Sequence, residues 1–173
     1  MPPSFRIEPL PGFTPTIGRL VGMLGYARQT TLDAVQGLTR EQLDHLHDEQ
    51  SNSIGALLAH IAVVERGFQI ATFEEREFTP EEKEIWAAPL ALGDLGRRAL
   101  RGRELQVYVD ELHRVREATL AGLAARDDAW LEAAVRIAPT LNAHWMWFHQ
   151  AEDEINHRGQ IRWLRSRLPV RHD

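Results

Sequence analysis

Cysteine is absent from this 173-residue sequence, and its absence removes whole classes of chemistry. The chain can form no disulfide, no thiolate metal site and no cysteine nucleophile, so a thiol that reacts here has to come from another molecule. Glycine-rich phosphate loops, the G-x-S-x-G elbow and the H-E-x-x-H motif are also missing, which leaves a serine triad without support. The net charge of −5 is small and gives no electrostatic reason to expect nucleic acid or an anionic membrane as a partner.

The N-terminal stretch MPPSFRIEPLPGF lacks the composition of a signal peptide, because prolines stand where a basic start and an apolar core are needed. We also find no apolar run that looks long enough to span a bilayer, and we therefore expect a cytoplasmic protein. The length fits a single domain over residues 1–173, in which residues 1–13 form an extended, proline-rich lead-in.

What the sequence does contain is a recurring helical pattern of apolar residues. The long helices are expected to begin after N-terminal capping signals, such as Thr14 before Pro15 and Ser53 before an apolar run. We predict long helices at about 15–36, 53–73, 103–125 and 140–168, short helices after Thr39 and Thr79, and an extended piece that ends at Pro139. No segment alternates with period two, so the sequence predicts an all-α four-helix bundle without strands.

Side chains that carry chemistry concentrate in the last predicted helix. The run FHQAEDEINHRGQIRWLRSRL, residues 148–168, places His149, Asp153 and His157 at successive four-residue steps, and such residues share one face of a helix. A carboxylate and an imidazole one turn apart can hold a single metal ion. One ion cannot take both histidines, because two helical turns separate them by about 11–12 Å. The pair is therefore either Asp153 with His157 or His149 with Asp153.

A third ligand is available from the second long helix, where His60 interrupts the apolar run LLAHIAVV. Two imidazoles and one carboxylate form a three-ligand set with open positions, as in catalytic sites for zinc, iron or nickel. Water bound to such a metal becomes more acidic. The spacing also fits a simpler arrangement, in which His60 is a hydrogen-bonded core histidine and Asp153 forms an ion pair with His157.

Helical-wheel positions at about 100° per residue place this polar stripe between two apolar arcs. One arc holds Trp145, Phe148, Ile155 and Trp163. The aromatic surplus on two helices favours a homodimer. Glu154, Arg158 and Arg165 lie on the far side of the same helix, where we expect solvated ion pairs.

Three further polar groups border the proposed ligands on the last helix. Glu152 and Gln160 are within reach as groups that could orient the ligands. His149 or Glu152 could help to move protons.

Two strings, SIGALLAHIAVVE and FHQAEDEINHRGQIRWLRSRLP, resemble the DinB-like (DinB/YfiT) superfamily of small bacterial metal-dependent proteins. The likeness is most specific at HRGQI after an acidic turn, and helix order and length extend it over nearly the whole chain. It implies a four-helix bundle in an up-down-down-up arrangement with a three-histidine metal site. His60 and His157 match two of those positions, whereas Asp153 stands where the family usually has its third histidine.

The resemblance leaves more than one function open. Families of this kind include metal-dependent hydrolases and transferases that use low-molecular-weight thiols such as bacillithiol or mycothiol, and their members commonly pair as homodimers. We therefore expect a divalent-metal enzyme that acts on a small molecule as a hydrolase or a thiol S-transferase. The alternative is a non-catalytic stress-response or binding module with a degenerate metal site, which the carboxylate of Asp153 in a histidine position favours.

Overall fold

The structure is a computed structural model and describes residues 6–169, so that the first five residues of the predicted lead-in lie outside it. The elements follow in the order α1 (Pro15–Val35), α2 (Arg40–Asp44), α3 (Ile54–Gln69), a π-helical turn (Ile70–Glu74), α4 (Pro80–Ala91), α5 (Gly93–Ala99), α6 (Leu105–Ala124), α7 (Asp128–Glu132), β1 (Ala134–Val135), β2 (Ala138–Asn142) and α8 (Ala143–Arg165). The four long helices are α1, α3, α6 and α8. The predicted all-α class and four-helix bundle are thereby confirmed.

Polar contacts show that α1 and α8 run in the same direction. Arg158 of α8 donates a hydrogen bond to Thr30 of α1. Two turns later on α8, Arg165 donates to the carbonyl of Ala34, which lies one turn after Thr30 on α1, at 2.8 Å. These two arginines of α8 therefore bind the neighbouring helix α1, whereas the sequence pattern predicts solvated pairs for them.

Close contacts at both ends of α3 show that α3 and α6 are also parallel. Tyr108 lies against Gly55 near the start of both helices, and Phe73 lies against Gly122 near their ends. One buried cluster joins the first half of α3 to the second half of α8, and another joins the π-helical turn to the first half of α8. The helices α3 and α8 are thus antiparallel, and the bundle runs up-down-down-up.

The prediction that the chain has no strands is wrong at one place. β1 and β2 pair as a small antiparallel hairpin, in which Pro139 lies inside β2 and does not end an extended piece. The last helix consequently begins at Ala143, where Asn142 caps it by accepting a hydrogen bond from the N–H of Trp145 at 2.8 Å. Strands this short leave too few positions for a period-two pattern to be recognised in the sequence.

The N-terminus of α1 is capped by a different part of the chain. Thr14 occupies the predicted N-cap position, but its side chain accepts no N–H from α1. Asp128 of α7 accepts hydrogen bonds from the hydroxyl of Thr14 and from the backbone N–H groups of Thr16 and Ile17 at 3.1 Å. The Thr14 hydrogen bond, followed by those from the backbone, lowers the pKa of Asp128 to about 2.

Four buried charged side chains, one from each long helix, meet in the centre of the bundle. This core ion cluster consists of Arg28, Glu65, Arg116 and Glu154, and both carboxylates are fully buried. Each arginine donates hydrogen bonds to both carboxylates, at 2.6–3.3 Å. The prediction of solvated pairs for Glu154 is therefore wrong, because this side chain points into the core.

The apolar arc predicted on α8 is largely on the surface. Trp145, Phe148, Ile155 and Trp163 are each 40–49 % exposed, whereas Trp147 is fully buried. Apolar residues occur on both sides of α8, so the pattern alone does not show which side packs against α1 and α3.

The expectation that no apolar run could span a membrane needs a correction. The segment Ile54–Glu74 has the length and the composition of a membrane-spanning helix, but 67 % of its most apolar window is buried within the fold. A helix that forms the core of a bundle needs the same composition, so this segment is explained by its packing against α6 and α8.

Candidate metal centre

The structure brings together the three side chains predicted as metal ligands. His60 of α3 and Asp153 and His157 of α8 offer ligand atoms that all lie within 4.8 Å of one another. Asp153 Oδ1 is 3.3 Å from His157 Nε2 and 4.0 Å from His60 Nε2. Donors held at 2.0–2.2 Å around a tetrahedral metal are roughly 3.4 Å apart, so the observed spacing is close to what a shared ion requires.

Helix geometry explains why these atoms converge. Asp153 and His157 are one turn apart on α8 and therefore share a face. α3 crosses that face in the opposite direction, and the rings of His60 and His157 meet edge to face with centroids 4.6 Å apart. Glu154 helps to fix this orientation, because its place in the core ion cluster sets the rotation of α8 that turns Asp153 toward α3.

A backbone carbonyl orients the first histidine. His60 Nδ1 donates a hydrogen bond to the carbonyl of Pro89 at 2.8 Å. In an uninterrupted α4 this carbonyl would accept the N–H of Gly93, but Leu92 has a positive φ of 53° and ends the helix. Gly93 N–H donates instead to the side chain of Asn52 at 2.9 Å. The proton of His60 is thereby held on Nδ1, and Nε2 keeps its lone pair toward the carboxylate.

The electrostatics favour the neutral form of this imidazole. Burial lowers the pKa of His60, and the nearby His157 lowers it further, while the Pro89 hydrogen bond and the Asp153 carboxylate oppose the change. A neutral imidazole is the form that coordinates a metal. The three side chains are 12–16 % exposed, so the site lies close to the surface of the bundle.

An unpartnered carboxylate oxygen shows that the arrangement suits a cation. Asp153 Oδ2 is buried and has no hydrogen-bond partner. A buried carboxylate without full compensation is costly, and a positive ion shared with the imidazoles would provide that compensation. Two imidazoles and a carboxylate are also a donor set that suits zinc, nickel or iron. The residues present therefore fit a divalent metal.

A sequence model of the family described as Mycothiol-S-transferase matches residues 19–169. The chain belongs to the mycothiol-S-transferase family. This match confirms the DinB-like resemblance, since the family is DinB-like, and membership implies thiol S-transfer with a divalent metal. No curated protein gives a significant match to the chain.

Outside the ligand set, this family member carries an imidazole–carboxylate pair on α8. His149 Nδ1 donates to Glu152 at 2.9 Å, and the His149 ring stacks on Trp145 with centroids 4.8 Å apart. Of the two pairs that the spacing allows, the structure brings Asp153 and His157, not His149, together with His60. Within residues 6–169, neither Glu152 nor Gln160 hydrogen-bonds to a ligand.

Sequence reasoning missed the two features that support the ligands. The carbonyl of Pro89 comes from α4, and no side-chain motif marks a backbone acceptor. The core ion cluster draws its four members from four distant segments, and each member looks like an ordinary surface charge in the sequence. A charged residue at a core-facing helical position, such as Glu65 four residues after Ile61 and three before Phe68, is a signal that could have indicated it.

Proposed function

We propose that this chain transfers a low-molecular-weight thiol such as mycothiol to a small electrophile, with a divalent metal held by His60, Asp153 and His157. The convergence of these three donors within 4.8 Å carries the proposal, and the family match supports the reaction class. A metal at this site would lower the pKa of a coordinated thiol, so that the thiolate is available at neutral pH.

The residues of the chain have distinct tasks in this proposal. His60 presents Nε2 because Pro89 holds the proton on Nδ1. Asp153 contributes the single negative charge of the ligand set. With two neutral imidazoles, this set leaves a divalent ion with a net positive charge, which favours binding of a thiolate over a neutral thiol.

The chemistry balances without a nucleophile from the protein. The S–H bond of the thiol breaks, a carbon–sulfur bond forms, and the leaving group departs from the electrophile with its electron pair. His149 is the candidate acceptor of the thiol proton, one turn before Asp153. Its Nδ1–H is held by Glu152, so its Nε2 is left free to accept.

The transfer can be tested with mycothiol and 1-chloro-2,4-dinitrobenzene, an aryl chloride that releases chloride when a thiolate attacks it. The metal-loaded protein should accelerate the reaction, a chelator should abolish the acceleration, and added metal should restore it. His157→Ala should react at the uncatalysed rate, and the exposed His113→Ala should behave as wild type. Acceleration that survives both the chelator and His157→Ala would rule out this mechanism.

A non-catalytic binding module is the second candidate, because Asp153 stands in a position where the family usually has histidine. This candidate predicts no micromolar affinity for zinc, nickel or manganese. It also predicts a melting temperature that a chelator leaves unchanged, since a ligand of the folded state must raise that temperature.

A further inference from the structure

The short stretch between α4 and α5 has a strained backbone close to the metal centre. Leu92 has φ 53° and ψ −145°, and Gly93 follows with φ 54°. Glycine adopts such angles readily, but a residue with a side chain keeps them only when its surroundings hold it there. Backbone strain of this kind is concentrated at functional sites, so the contacts that hold it indicate what it serves.

The loop before α3 and the junction of α4 with α5 hold each other through hydrogen bonds in both directions. The side-chain oxygen of Asn52 accepts the N–H of Gly93 at 2.9 Å. Arg97 of α5 reaches back to the loop and donates to the carbonyls of Gln50 and Ser51 at 3.0 and 3.3 Å. We call this set of contacts the junction clasp.

The side chain of Leu92 explains why glycine does not stand in its place. It is partly buried and packs against one of the two apolar core clusters of the bundle. Core packing and the junction clasp thus act on two neighbouring residues, Leu92 and Gly93. Together they prevent α4 from continuing as a regular helix into α5.

This break leaves a backbone carbonyl free at Pro89. In a continuous helix the N–H of Gly93 would donate to that carbonyl and align it with the helix axis. Because Asn52 accepts this N–H, the Pro89 carbonyl is left to accept the hydrogen bond from His60 Nδ1 at 2.8 Å. Asn52 therefore acts on His60 through backbone groups of Gly93 and Pro89.

We propose that Asn52 is a positioning residue of the metal centre. By accepting the Gly93 N–H, it removes the donor that competes with His60 for the Pro89 carbonyl. It thereby keeps the His60 proton on Nδ1 and leaves Nε2 for a metal. The inference rests on the proposed function, because it concerns a ligand of the same metal site.

Zinc affinity, measured by competition with a chromophoric chelator, tests this role. Asn52→Ala should raise the dissociation constant for zinc about tenfold, the lower end of the effect of removing a group that orients a metal ligand. Asn52→Asp should bind zinc within about threefold of wild type, because its carboxylate still accepts the Gly93 N–H.

Asn142→Ala is the matched control. Asn142 also uses a side-chain oxygen to accept one backbone N–H, that of Trp145 at 2.8 Å, but it caps α8 about three turns before Asp153. Both substitutions remove one hydrogen bond from a side chain to the backbone, so both should lower the melting temperature. Only Asn52→Ala should weaken zinc binding, and circular dichroism melts check that all variants are folded.

The tautomer of His60 gives a second readout that needs no metal. Long-range ¹H–¹⁵N correlation spectra of the metal-free protein, recorded at about pH 8 where imidazole is neutral, distinguish a proton on Nδ1 from one on Nε2. Wild type and Asn52→Asp should carry the proton on Nδ1. Asn52→Ala should show a larger share of the Nε2–H form, and Asn142→Ala should match wild type.

The outcomes separate this inference from the proposed function. If Asn52→Ala retains the zinc affinity and the His60 tautomer of wild type, the positioning role is refuted and the metal centre stands. The same conclusion follows if Asn142→Ala weakens zinc binding equally. If wild type binds no zinc, the proposed function fails, and the tautomer of His60 in Asn52→Ala alone decides the positioning role.

Discussion

The ligand set depends on which nitrogen of His60 carries its proton. The Pro89 carbonyl can only accept a hydrogen bond, so it fixes the proton on Nδ1 and leaves Nε2 for a metal. Burial favours the neutral form of the same ring. A carboxylate at position 153 then gives the site one negative charge, which a set of three neutral histidines would not have.

The Asp128 cap gives a residue-scale prediction about pH. Asp128→Asn should lower the melting temperature, because it weakens the hydrogen bonds to the N-terminus of α1. The pKa of Asp128 is about 2 in the folded protein, below the value near 3.9 of an unfolded chain. Its contribution is therefore complete above about pH 4 and disappears as the pH falls through about 2.

Thermal melts of wild type and Asp128→Asn between pH 2 and pH 7 measure this dependence. The difference in melting temperature should be constant near neutrality and should shrink at the acidic end. Asp127→Asn is the neighbouring control, because Asp127 caps only the short helix α7. A difference that stays the same down to pH 2 would contradict the assignment.

At the scale of elements, α8 serves the core and the metal centre with different faces. Glu154 anchors it in the core ion cluster, and Asp153 and His157 face α3. The rotation of α8 in the bundle thus decides which of its side chains reach α3. A change in the rotation of this one helix would affect the core ion cluster and the metal centre together.

The core ion cluster should be costly to break. Burial alone would raise the pKa of Glu65, but the charges of Arg116 and Arg28 outweigh this effect and lower it. Glu65→Gln should reduce the free energy of unfolding by about 3–5 kcal/mol, because it leaves buried arginine charge without compensation. Glu111→Gln, which removes a surface pair with Arg114, should cost less than about 0.5 kcal/mol in the same urea titrations. Equal losses for the two variants would contradict this description of the cluster.

Packing of α6 on the π-helical turn gives a second prediction for elements. A Cβ at Gly122 would lie 2.3 Å from the ring of Phe73, which is held by stacking on Trp147 and by the guanidinium of Arg126. Gly122→Ala should therefore lower the free energy of unfolding by about 1–3 kcal/mol. Gly25→Ala has open space and should raise it by up to about 1 kcal/mol. Chemical denaturation compares the two variants, and a neutral Gly122→Ala would refute the close contact.

The sequence predicted those elements whose signals are local. Apolar periodicity and capping residues predicted the four long helices. Four-residue spacing on α8 left two ligand pairs open, and the resemblance at HRGQI favoured Asp153 with His157. The hairpin from residue 134 to residue 142 is too short to show alternation. The burial of Glu154 and the exposure of Trp163 depend on which side of α8 meets its neighbours. That choice is made by tertiary packing, which no local pattern records.

For the whole molecule, the predicted homodimer is still to be tested. Tyr26, Phe148 and Ile155 are exposed together and line an apolar cleft of about 460 Å³ between α1 and α8. Light scattering after gel filtration should give twice the mass of the chain, and Phe148→Glu should shift it toward the monomer. Leu95→Glu on α5 is the control, because Leu95 is equally exposed but lies outside this patch. A monomeric wild type would contradict the prediction.

The up-down-down-up arrangement brings His60 to Asp153 and His157 of α8, and the metal content of the protein tests the resulting metal centre most directly. Elemental analysis of the protein purified without a histidine tag should find about one divalent ion per chain. Asp153→His should retain the ion, and His157→Ala and Asp153→Ala should lose it. A negligible metal content in wild type and variants alike, even after incubation with zinc or nickel, would contradict the account.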